Sequence, residues 1–182
     1  MGMASALETL CGKAYGAKQY HLLGIQLQRA IFALFCVSIP LAMIWANMGN
    51  ILAALGQDPL ISIEAGKYAR WMIPSLFAHS ILQPLVKFLQ SQRIVFPMTI
   101  SSAITLVLHV PICWALVYKV GLGNKGAALA NSISNWLNVA LLLVYVTFSP
   151  ACKKTWTSFS REALYDITSF LKLAILSAAM VW

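Results

Sequence analysis

Long apolar stretches separated by short polar links dominate this sequence. Four of them contain no Asp, Glu, Lys or Arg, namely residues 30–57, 71–86, 94–118 and 126–151. A helix needs about 20 mostly apolar residues to cross a bilayer, and the first, third and fourth stretches reach that length unaided. The second reaches it over residues 65–88 when the ammonium groups of Lys67 and Lys87 extend to the membrane surface. The pattern therefore predicts four transmembrane helices.

Turn-forming residues mark the links between these helices. The three short links are residues 49–59, 91–93 and 121–124. The most polar link is 149–161, after which residues 162–182 restart a helix. Membrane helices tolerate proline, and each proline inside a span predicts a kink. Five fall within the predicted spans: Pro40, Pro74, Pro84, Pro97 and Pro111.

The composition agrees with a lipid environment. The chain is 60% hydrophobic and 10% charged, with a mean hydropathy of +0.76, whereas soluble domains carry about 25% charged residues. One aqueous core of 182 residues cannot bury that much apolar surface. The net charge of +8 would suit nucleic acid, but the basic residues form no stripe interleaved with aromatic residues. We therefore expect the lipid bilayer, and no nucleic acid, as a partner.

The distribution of basic residues predicts the orientation in the membrane. Four crossings separate them into two groups. One side holds Lys13, Lys18, Arg29, Lys87, Arg93, Lys153, Lys154, Arg161 and Lys172, and the other holds Lys67, Arg70, Lys119 and Lys125. Because cytoplasmic loops carry an excess of Lys and Arg, we expect the first group to be cytoplasmic.

Both chain ends are then predicted to lie within the bilayer. Residues 1–12 start from the cytoplasmic side and reach only about 18 Å as a helix. Trp182 follows cytoplasmic Lys172 by ten residues. Because a charge near the bilayer centre costs at least about 2.5–3.5 kcal/mol, we expect both flanking helices to be truncated and the chain to be a piece of a longer protein.

Four polar residues share one face of the fourth predicted helix. Asn131, Ser134, Asn135 and Asn138 recur at the spacing i, i+3, i+4 and i+7. Polar groups are expensive to bury in a membrane, so they are functional candidates. Hydrogen bonding between helices and a wet face that contacts substrate are two interpretations, and both stay open. We predict these four residues as substrate-path candidates.

Charged and amide residues near the cytoplasmic boundary form a second group. Gln83, Lys87 and Gln90 follow the spacing i, i+4 and i+7, and Lys87 is equally explained as an interfacial anchor. Glu8 is the only carboxylate in an apolar segment near a membrane face. Proton or cation binding and pairing with a neighbour such as Lys13 are both open for Glu8.

No group of reactive residues indicates an enzyme. The four cysteines are scattered without a CxxC pair. We find no carboxylate pair, nucleophile–base set, glycine-rich phosphate loop or metal-ligand cluster. His79 and His109 are single histidines on apolar helices, where a packing role is commoner than a proton relay. We predict no catalytic residue, no metal and no cofactor.

Longer motifs occur in a recognisable order along the chain. They are GMASALETLCGKAYGAKQYHLLGIQLQRA at 2–30, LGQDPLISIEAGKYARWMIP at 55–74, QPLVKFLQSQRIVFPM at 83–98 and GNKGAALANSISNWLN at 123–138. Over nearly its whole length, the chain resembles the plant multidrug and toxic compound extrusion (MATE) transporters, also called DETOXIFICATION proteins. The resemblance implies twelve helices in two six-helix lobes, with proton- or sodium-driven export of organic molecules.

The resemblance also implies the place of this chain in such a transporter. It would be an all-α, polytopic transmembrane helix bundle and most of one six-helix lobe. Residues 1–148 would form the partial N-terminal lobe, with the family's helices 2 to 6, and residues 149–182 a cytoplasmic loop and the start of helix 7. The second lobe and the family's principal cation-coupling carboxylates would lie outside the chain. Glu8, Gln83 and Lys87 match recurrent family positions. We predict Gln83 as a substrate-path candidate, and Glu8 and Lys87 as candidates for stabilising the lobe or forming ion pairs.

We therefore predict part of a secondary active efflux transporter. It would exchange H⁺ or Na⁺ for organic cations, xenobiotics or plant secondary metabolites, in the plasma membrane or the vacuolar membrane, together with the second lobe. The alternative is a truncated, non-transporting membrane protein that interacts with full-length transporters. The sequence specifies neither the substrate nor the coupling ion.

Overall fold

The computed structural model describes residues 11–12, 14–17 and 20–149, which are helical or in short links and contain no β-strand. The helices are α1 (Tyr20–Ala46), α2 (Met48–Ala54), α3 (Pro59–Ser91), α4 (Phe96–Trp114) with a π-helix after it (Ala115–Lys119), and α5 (Asn124–Phe148). Four stretches are long and apolar enough to span a membrane: His21–Ala46, Pro59–Ser91, Phe96–Lys119 and Asn124–Phe148. The predicted all-α class and the four spans are confirmed. Glu8 and the predicted start of a further helix after residue 161 lie outside the described residues.

Helix α3 is the centre of the bundle. It packs against α1 and α5, and α4 packs mainly on α5, which gives the order α1–α3–α5–α4. Within the most apolar 18 residues of each span, 44% are buried in α3 and 6% in α4. The core between α1, α3 and α5 includes Leu23, Leu27, Leu85, Phe88, Leu89, Val139, Leu142 and Val146. The exposed apolar side chains of α4 are the surface that lipid tails would cover.

Small residues along α3 let its neighbours approach closely. Ser62, Gly66, Ala69 and Ala78 are all buried on this helix. A Cβ atom added to Gly66 would lie 3.0 Å from the Cα atom of Gly49 in α2, a distance that real Cβ atoms avoid. Close backbone approach at small residues is the usual means by which membrane helices pack.

The link predicted over residues 49–59 is partly helical. It contains most of α2, whose residues are all at least partly exposed, so the turn of the predicted turn-rich link is shorter than the link itself. The short helix packs against the N-terminal part of α3 through the contact between Gly49 and Gly66. The turn itself occupies only residues 55–58, where Gly56 has a φ of 81°. Asp58 then caps α3 by accepting a hydrogen bond from the Leu60 amide at 2.8 Å.

The prolines divide into two kinds. Pro40, Pro74, Pro84 and Pro111 lie inside helices, as predicted. The kink predicted at Pro97 is wrong, because Pro97 lies in the first turn of α4. A first-turn amide has no partner within its helix, so proline is accommodated there without distortion.

The predicted break at residues 121–124 is confirmed, and it joins α4 to α5 tightly. Gly121 and Gly123 have φ values of 73° and 54°, a region that favours glycine. One turn into α5, a Cβ atom on Gly126 would lie 2.7 Å from the carbonyl oxygen of Leu116. The π-helix and the start of α5 can therefore approach this closely only because position 126 has no side chain.

We expect Gly126→Val to destabilise the α4–α5 hairpin, because its side chain would overlap the Leu116 backbone. Overpacking of this kind typically costs about 1–3 kcal/mol. Thermal unfolding in detergent micelles measures the effect. Ala140→Val, at an exposed position on the same helix, is the matched control and should leave the melting temperature near that of the wild type. Equal melting temperatures for both variants would contradict the close approach.

Candidate functional site

A small polar cleft lies between α4 and α5, about halfway along both spans. Its volume is about 260 Å³. The residues that line this polar cleft are Ser102, Thr105, Leu106, His109, Asn131, Ser134, Asn135 and Asn138. Seven of the eight are polar, although both helices are otherwise apolar and α4 exposes mostly aliphatic side chains. Such a concentration of polar groups at mid-membrane depth is the usual mark of a functional site.

The predicted face of α5 contributes half of this lining. Asn135 donates a hydrogen bond from Nδ2 to Ser75 Oγ on α3 at 2.6 Å, and Asn131 Nδ2 lies 3.5 Å from the same oxygen. Ser134 Oγ lies 2.8 Å from His109 Nδ1 on α4. Both interpretations that the sequence left open therefore have a geometric basis. The same side chains join helices and line a cleft.

Asn138 differs from the other members of this face. Its Oδ1 atom is buried and has no hydrogen-bond partner among the described residues, although the residue lines the polar cleft. An unsatisfied buried acceptor costs about 1–3 kcal/mol, and such groups in native structures call for an explanation. Because this oxygen has almost no accessible surface, a ligand donor in the cleft would reach it only after the Asn138 side chain turned toward the cleft.

Several residues of the site were not selected by sequence reasoning. Ser102, Thr105 and His109 lie on one face of α4, at the spacing i, i+3 and i+7, and they line the cleft opposite the asparagines. Sequence reasoning interpreted His109 as a packing residue and passed over the two hydroxyl residues. Hydroxyl groups are easily overlooked because they bond their own helix, as Thr105 Oγ1 does to the Ser101 carbonyl at 2.8 Å. The shared spacing with His109 was the available signal.

The polar side chains that line the cleft are amides, hydroxyls and one imidazole. Among the described residues, no Asp, Glu, Lys or Arg lines the cleft, and no group of three potential metal-binding side chains occurs. Amide and hydroxyl oxygens can accept hydrogen bonds from a substrate or face a cation, and the amide groups can also donate. The arrangement suits reversible binding of a polar or cationic group.

The other predicted site residues lie elsewhere. Gln83 and Lys87 are half-buried in the C-terminal half of α3, which is predicted to be cytoplasmic, and they are not among the residues that line the polar cleft. Gln90 is exposed. The predicted role of Gln83 in the substrate path, and the predicted stabilising or ion-pair roles of Lys87 and Glu8, stay predictions.

A larger cavity lies at the opposite, predicted extracytoplasmic end of the bundle. It has a volume of about 850 Å³ and is lined mainly by apolar side chains, including Trp45, Met48 and Met72. The carboxylate among them, Glu64, is paired with Lys67 at 2.7 Å. Size alone would favour this cavity, but it offers little polar chemistry. The polar cleft is therefore the candidate functional site.

These observations define an α-helical integral membrane protein with a polar site within an apolar bundle, which is the general arrangement of membrane transporters. The model of the MatE family matches residues 1–115. The chain belongs to this family. The resemblance drawn from the sequence motifs is thereby confirmed, as is the prediction of an integral membrane protein.

Individual relatives agree with the family assignment. The chain is 60% identical over 181 residues to Protein DETOXIFICATION 16 of Arabidopsis thaliana, covering 100% of this chain and 37% of that protein. Protein DETOXIFICATION 15 of the same plant is 56% identical over 181 residues, with 100% and 38% covered. The crystal structure of the eukaryotic MATE transporter AtDTX14 matches with a TM-score of 0.95 and 47% identity, over 98% of this chain and 40% of that one.

The comparisons bear on three further predictions. This chain spans less than two fifths of the length of both curated relatives. The family and the matched structure are those of MATE transporters. This supports the prediction of an efflux transporter and is consistent with a protein that is not an enzyme. It does not favour the non-transporting alternative. The division at residue 148 stays a prediction, as does the choice between plasma membrane and vacuolar membrane.

The hydrogen bond between Ser75 and Asn135 is expected to stabilise the packing of α3 against α5. Hydrogen bonds between membrane helices average about 0.6 kcal/mol and reach about 1.7 kcal/mol. A double-mutant cycle of Ser75→Ala and Asn135→Ala, followed by unfolding in detergent, should give a coupling energy in this range. A control cycle pairs Ser75→Ala with Thr147→Ala, because Thr147 bonds only its own helix. We expect no coupling there, and equal coupling in the two cycles would contradict a direct bond.

Proposed function

We propose that this chain is part of a secondary active antiporter that exports small organic molecules in exchange for H⁺ or Na⁺. The proposed substrates are organic cations, xenobiotics or plant secondary metabolites. Family membership supports the efflux function. The chain covers only part of the length of its relatives, so the activity of the whole protein, its coupling ion and its substrates are part of the proposal.

The polar cleft is proposed to lie on the substrate path. The observation that carries this proposal is the buried Asn138 Oδ1 atom, which lines the cleft and has no hydrogen-bond partner among the described residues. Asn131, Asn135 and Ser134 already bond to neighbouring helices. They would hold the cleft open in a defined shape, while Asn138 keeps an acceptor available for a substrate donor or a cationic group.

The cleft is proposed to bind substrate loosely. A neutral site attracts an organic cation through amide and hydroxyl dipoles, which are weaker than an ion pair with a carboxylate. Weak binding allows release, which a transporter requires as much as uptake. The coupling carboxylates that the resemblance implies would lie outside this chain, so the cleft would contact the exported molecule without itself supplying the acid that exchanges H⁺ or Na⁺.

The remaining candidates are proposed to act outside the cleft. Gln83 would lie along the lobe interior, on the cytoplasmic half of α3. Glu8 and Lys87 would stabilise the cytoplasmic end of the lobe or form ion pairs there. Lys87 is half-buried, and a long cationic side chain can cover apolar surface while its ammonium group reaches the interface.

Proteoliposomes that contain the protein at its full native length test the antiport mechanism. Efflux of a fluorescent organic cation should be driven by an imposed pH or Na⁺ gradient and should fall to the protein-free background when an ionophore dissipates that gradient. The physical reason is that an antiporter moves its substrate uphill only by exchange for a second solute. Efflux that persists without either gradient would overturn the antiport proposal.

Removing the free acceptor is expected to weaken transport selectively. We expect Asn138→Leu to raise the KM for an organic cation about three- to tenfold, the loss of roughly one hydrogen bond, because the bond is made to bound substrate. The matched control is Asn50→Leu, the same change at an exposed position of α2. Initial efflux rates measured in proteoliposomes over a series of substrate concentrations give the KM of each variant. A KM unchanged by Asn138→Leu, or raised equally by Asn50→Leu, would contradict a place for Asn138 on the path.

A further inference from the structure

An apolar groove opens between the two ends of α4 and α5 that the charge pattern places on the cytoplasmic side. It has a volume of about 660 Å³. Its lining includes Arg93, Phe96, Ile100, Ile104, Leu141 and Tyr145, and we call it the interfacial groove. It is distinct from the polar cleft, which lies nearer the middle of the same helices and shares none of these residues.

Among the described residues that line the interfacial groove, Arg93 is the only cation, and it lies at the polar end of the groove. Its residue is exposed, and its guanidinium group makes no hydrogen bond or ion pair with the described residues. The two carboxylates in the described part of the chain are Asp58 and Glu64. Both lie at the opposite end of α3, Glu64 roughly 40 Å and Asp58 roughly 50 Å away at the rise of an α-helix. The described part of the protein therefore supplies no anion to this arginine.

Arg93 also has a left-handed backbone conformation, which residues other than glycine rarely adopt. Its φ is 60°. The Arg93 amide donates to the Gln90 carbonyl at 2.9 Å, and the Ile94 amide donates to the Leu89 carbonyl at 3.0 Å. This is a Schellman ending of α3, at whose left-handed position glycine is the usual residue. Glycine would fit this backbone conformation with less strain. The helix ending therefore does not explain why arginine occupies this position, and an explanation must come from the Arg93 side chain.

We propose that the interfacial groove binds one anionic phospholipid. The phosphate of the head group would bind the Arg93 guanidinium, which offers paired N–H donors for phosphate oxygens. The Tyr145 hydroxyl would lie at the same level, as tyrosine does at membrane interfaces. One acyl chain would lie along Ile100, Ile104 and Leu141. This proposal does not depend on the transport proposal.

Charge complementarity selects this occupant. On the predicted orientation the groove opens to the cytoplasmic leaflet, where anionic lipids are concentrated. A zwitterionic lipid could fill the apolar part and carries the same phosphate, but its quaternary ammonium group would repel the arginine and weaken that pairing. Inorganic phosphate could pair with the arginine, but it would leave the apolar walls uncovered. A lipid with a net anionic head group matches both parts better than either.

Native mass spectrometry of the full-length protein in detergent tests the proposal. The probes are phosphatidylserine and phosphatidylcholine of identical acyl chains, titrated separately. We expect one phosphatidylserine to bind about five- to tenfold more tightly than phosphatidylcholine, the effect of one basic residue on an anionic head group. Equal binding of the two lipids would overturn the proposal.

Variants at the two ends of the helix pair locate the site. Arg93→Asn removes the charge and keeps a residue that tolerates the left-handed backbone, so it should fold and lose the preference for phosphatidylserine. Arg93→Lys should retain most of it. The matched control is Lys119→Asn, on the opposite side of the membrane, which should retain it fully. An equal loss in Lys119→Asn and Arg93→Asn would mean that net charge alone attracts the lipid, and would overturn the site.

A third variant tests the apolar part of the groove. Ile100→Trp enlarges a side chain that is 43% exposed on the groove wall, so it should exclude the acyl chain without disturbing the core. We expect it to abolish the bound phosphatidylserine while leaving the melting temperature within a few degrees of the wild type. Retained binding in Ile100→Trp would overturn the proposal. The proposal would also be overturned if millimolar inorganic phosphate displaced the lipid. The same holds if the wild type bound no lipid because another protein segment covers the groove.

Discussion

The structure depends on the need to satisfy polar groups where no water is available to bond them. In hydrocarbon every backbone amide and carbonyl must bond within the protein, which makes helices the only open-chain solution. Many hydroxyl side chains follow the same rule by bonding the carbonyl four residues earlier, as Ser62, Thr105 and Thr147 do. The helices are thereby nearly self-sufficient. Their assembly rests on close packing and on the few polar groups that remain.

Those remaining groups join the helices in pairs. Ser38 and Ser80 bond between α1 and α3, Ser75 and Asn135 between α3 and α5, and Ser134 and His109 between α4 and α5. The order of the bundle, α1–α3–α5–α4, thus has hydrogen bonds at each of its three interfaces. The α3–α5 interface has further ones, because Ser132 Oγ and Trp136 Nε1 donate to the Trp71 and Pro74 carbonyls of α3. Bonds of this kind contribute modestly to stability, but they restrict the rotation of each helix. In the polar cleft this pairing is incomplete, because Asn138 Oδ1 is buried without a partner among the described residues, and the proposed role of Asn138 in the substrate path rests on that oxygen.

The two ends of the α4–α5 pair meet different requirements. Near the break at 121–124, glycines allow the chain to turn tightly and allow the helix backbones to touch at Gly126. At the other end the interfacial groove lies between the same two helices. Arg93, which ends α3 in a left-handed conformation, lines this groove.

Much of the fold could be predicted from composition and local pattern. The four spans and the shared face of Asn131, Ser134, Asn135 and Asn138 follow from hydropathy and helical spacing, which depend only on neighbouring residues. The short helix α2 was missed because its seven residues are too few to give a periodic signal. Its position depends on a glycine contact with α3, which no local pattern contains. Pro97 was misassigned because a boundary shift of one turn decides between a kink and a helix start.

The sequence by itself determined the lipid environment, the helices and the faces that carry polar groups, because each of these is a property of consecutive residues. Only the tertiary structure decided which faces meet. Ser75 and Asn135 are 60 residues apart, and His109 and Ser134 are 25 apart, so their contacts depend on the rotation and crossing of whole helices. For the same reason the unpaired oxygen of Asn138 and the groove beside Arg93 became visible only after packing. Whether an atom has a hydrogen-bond partner, or a surface is covered, depends on the position of every neighbouring helix, which the local sequence does not contain.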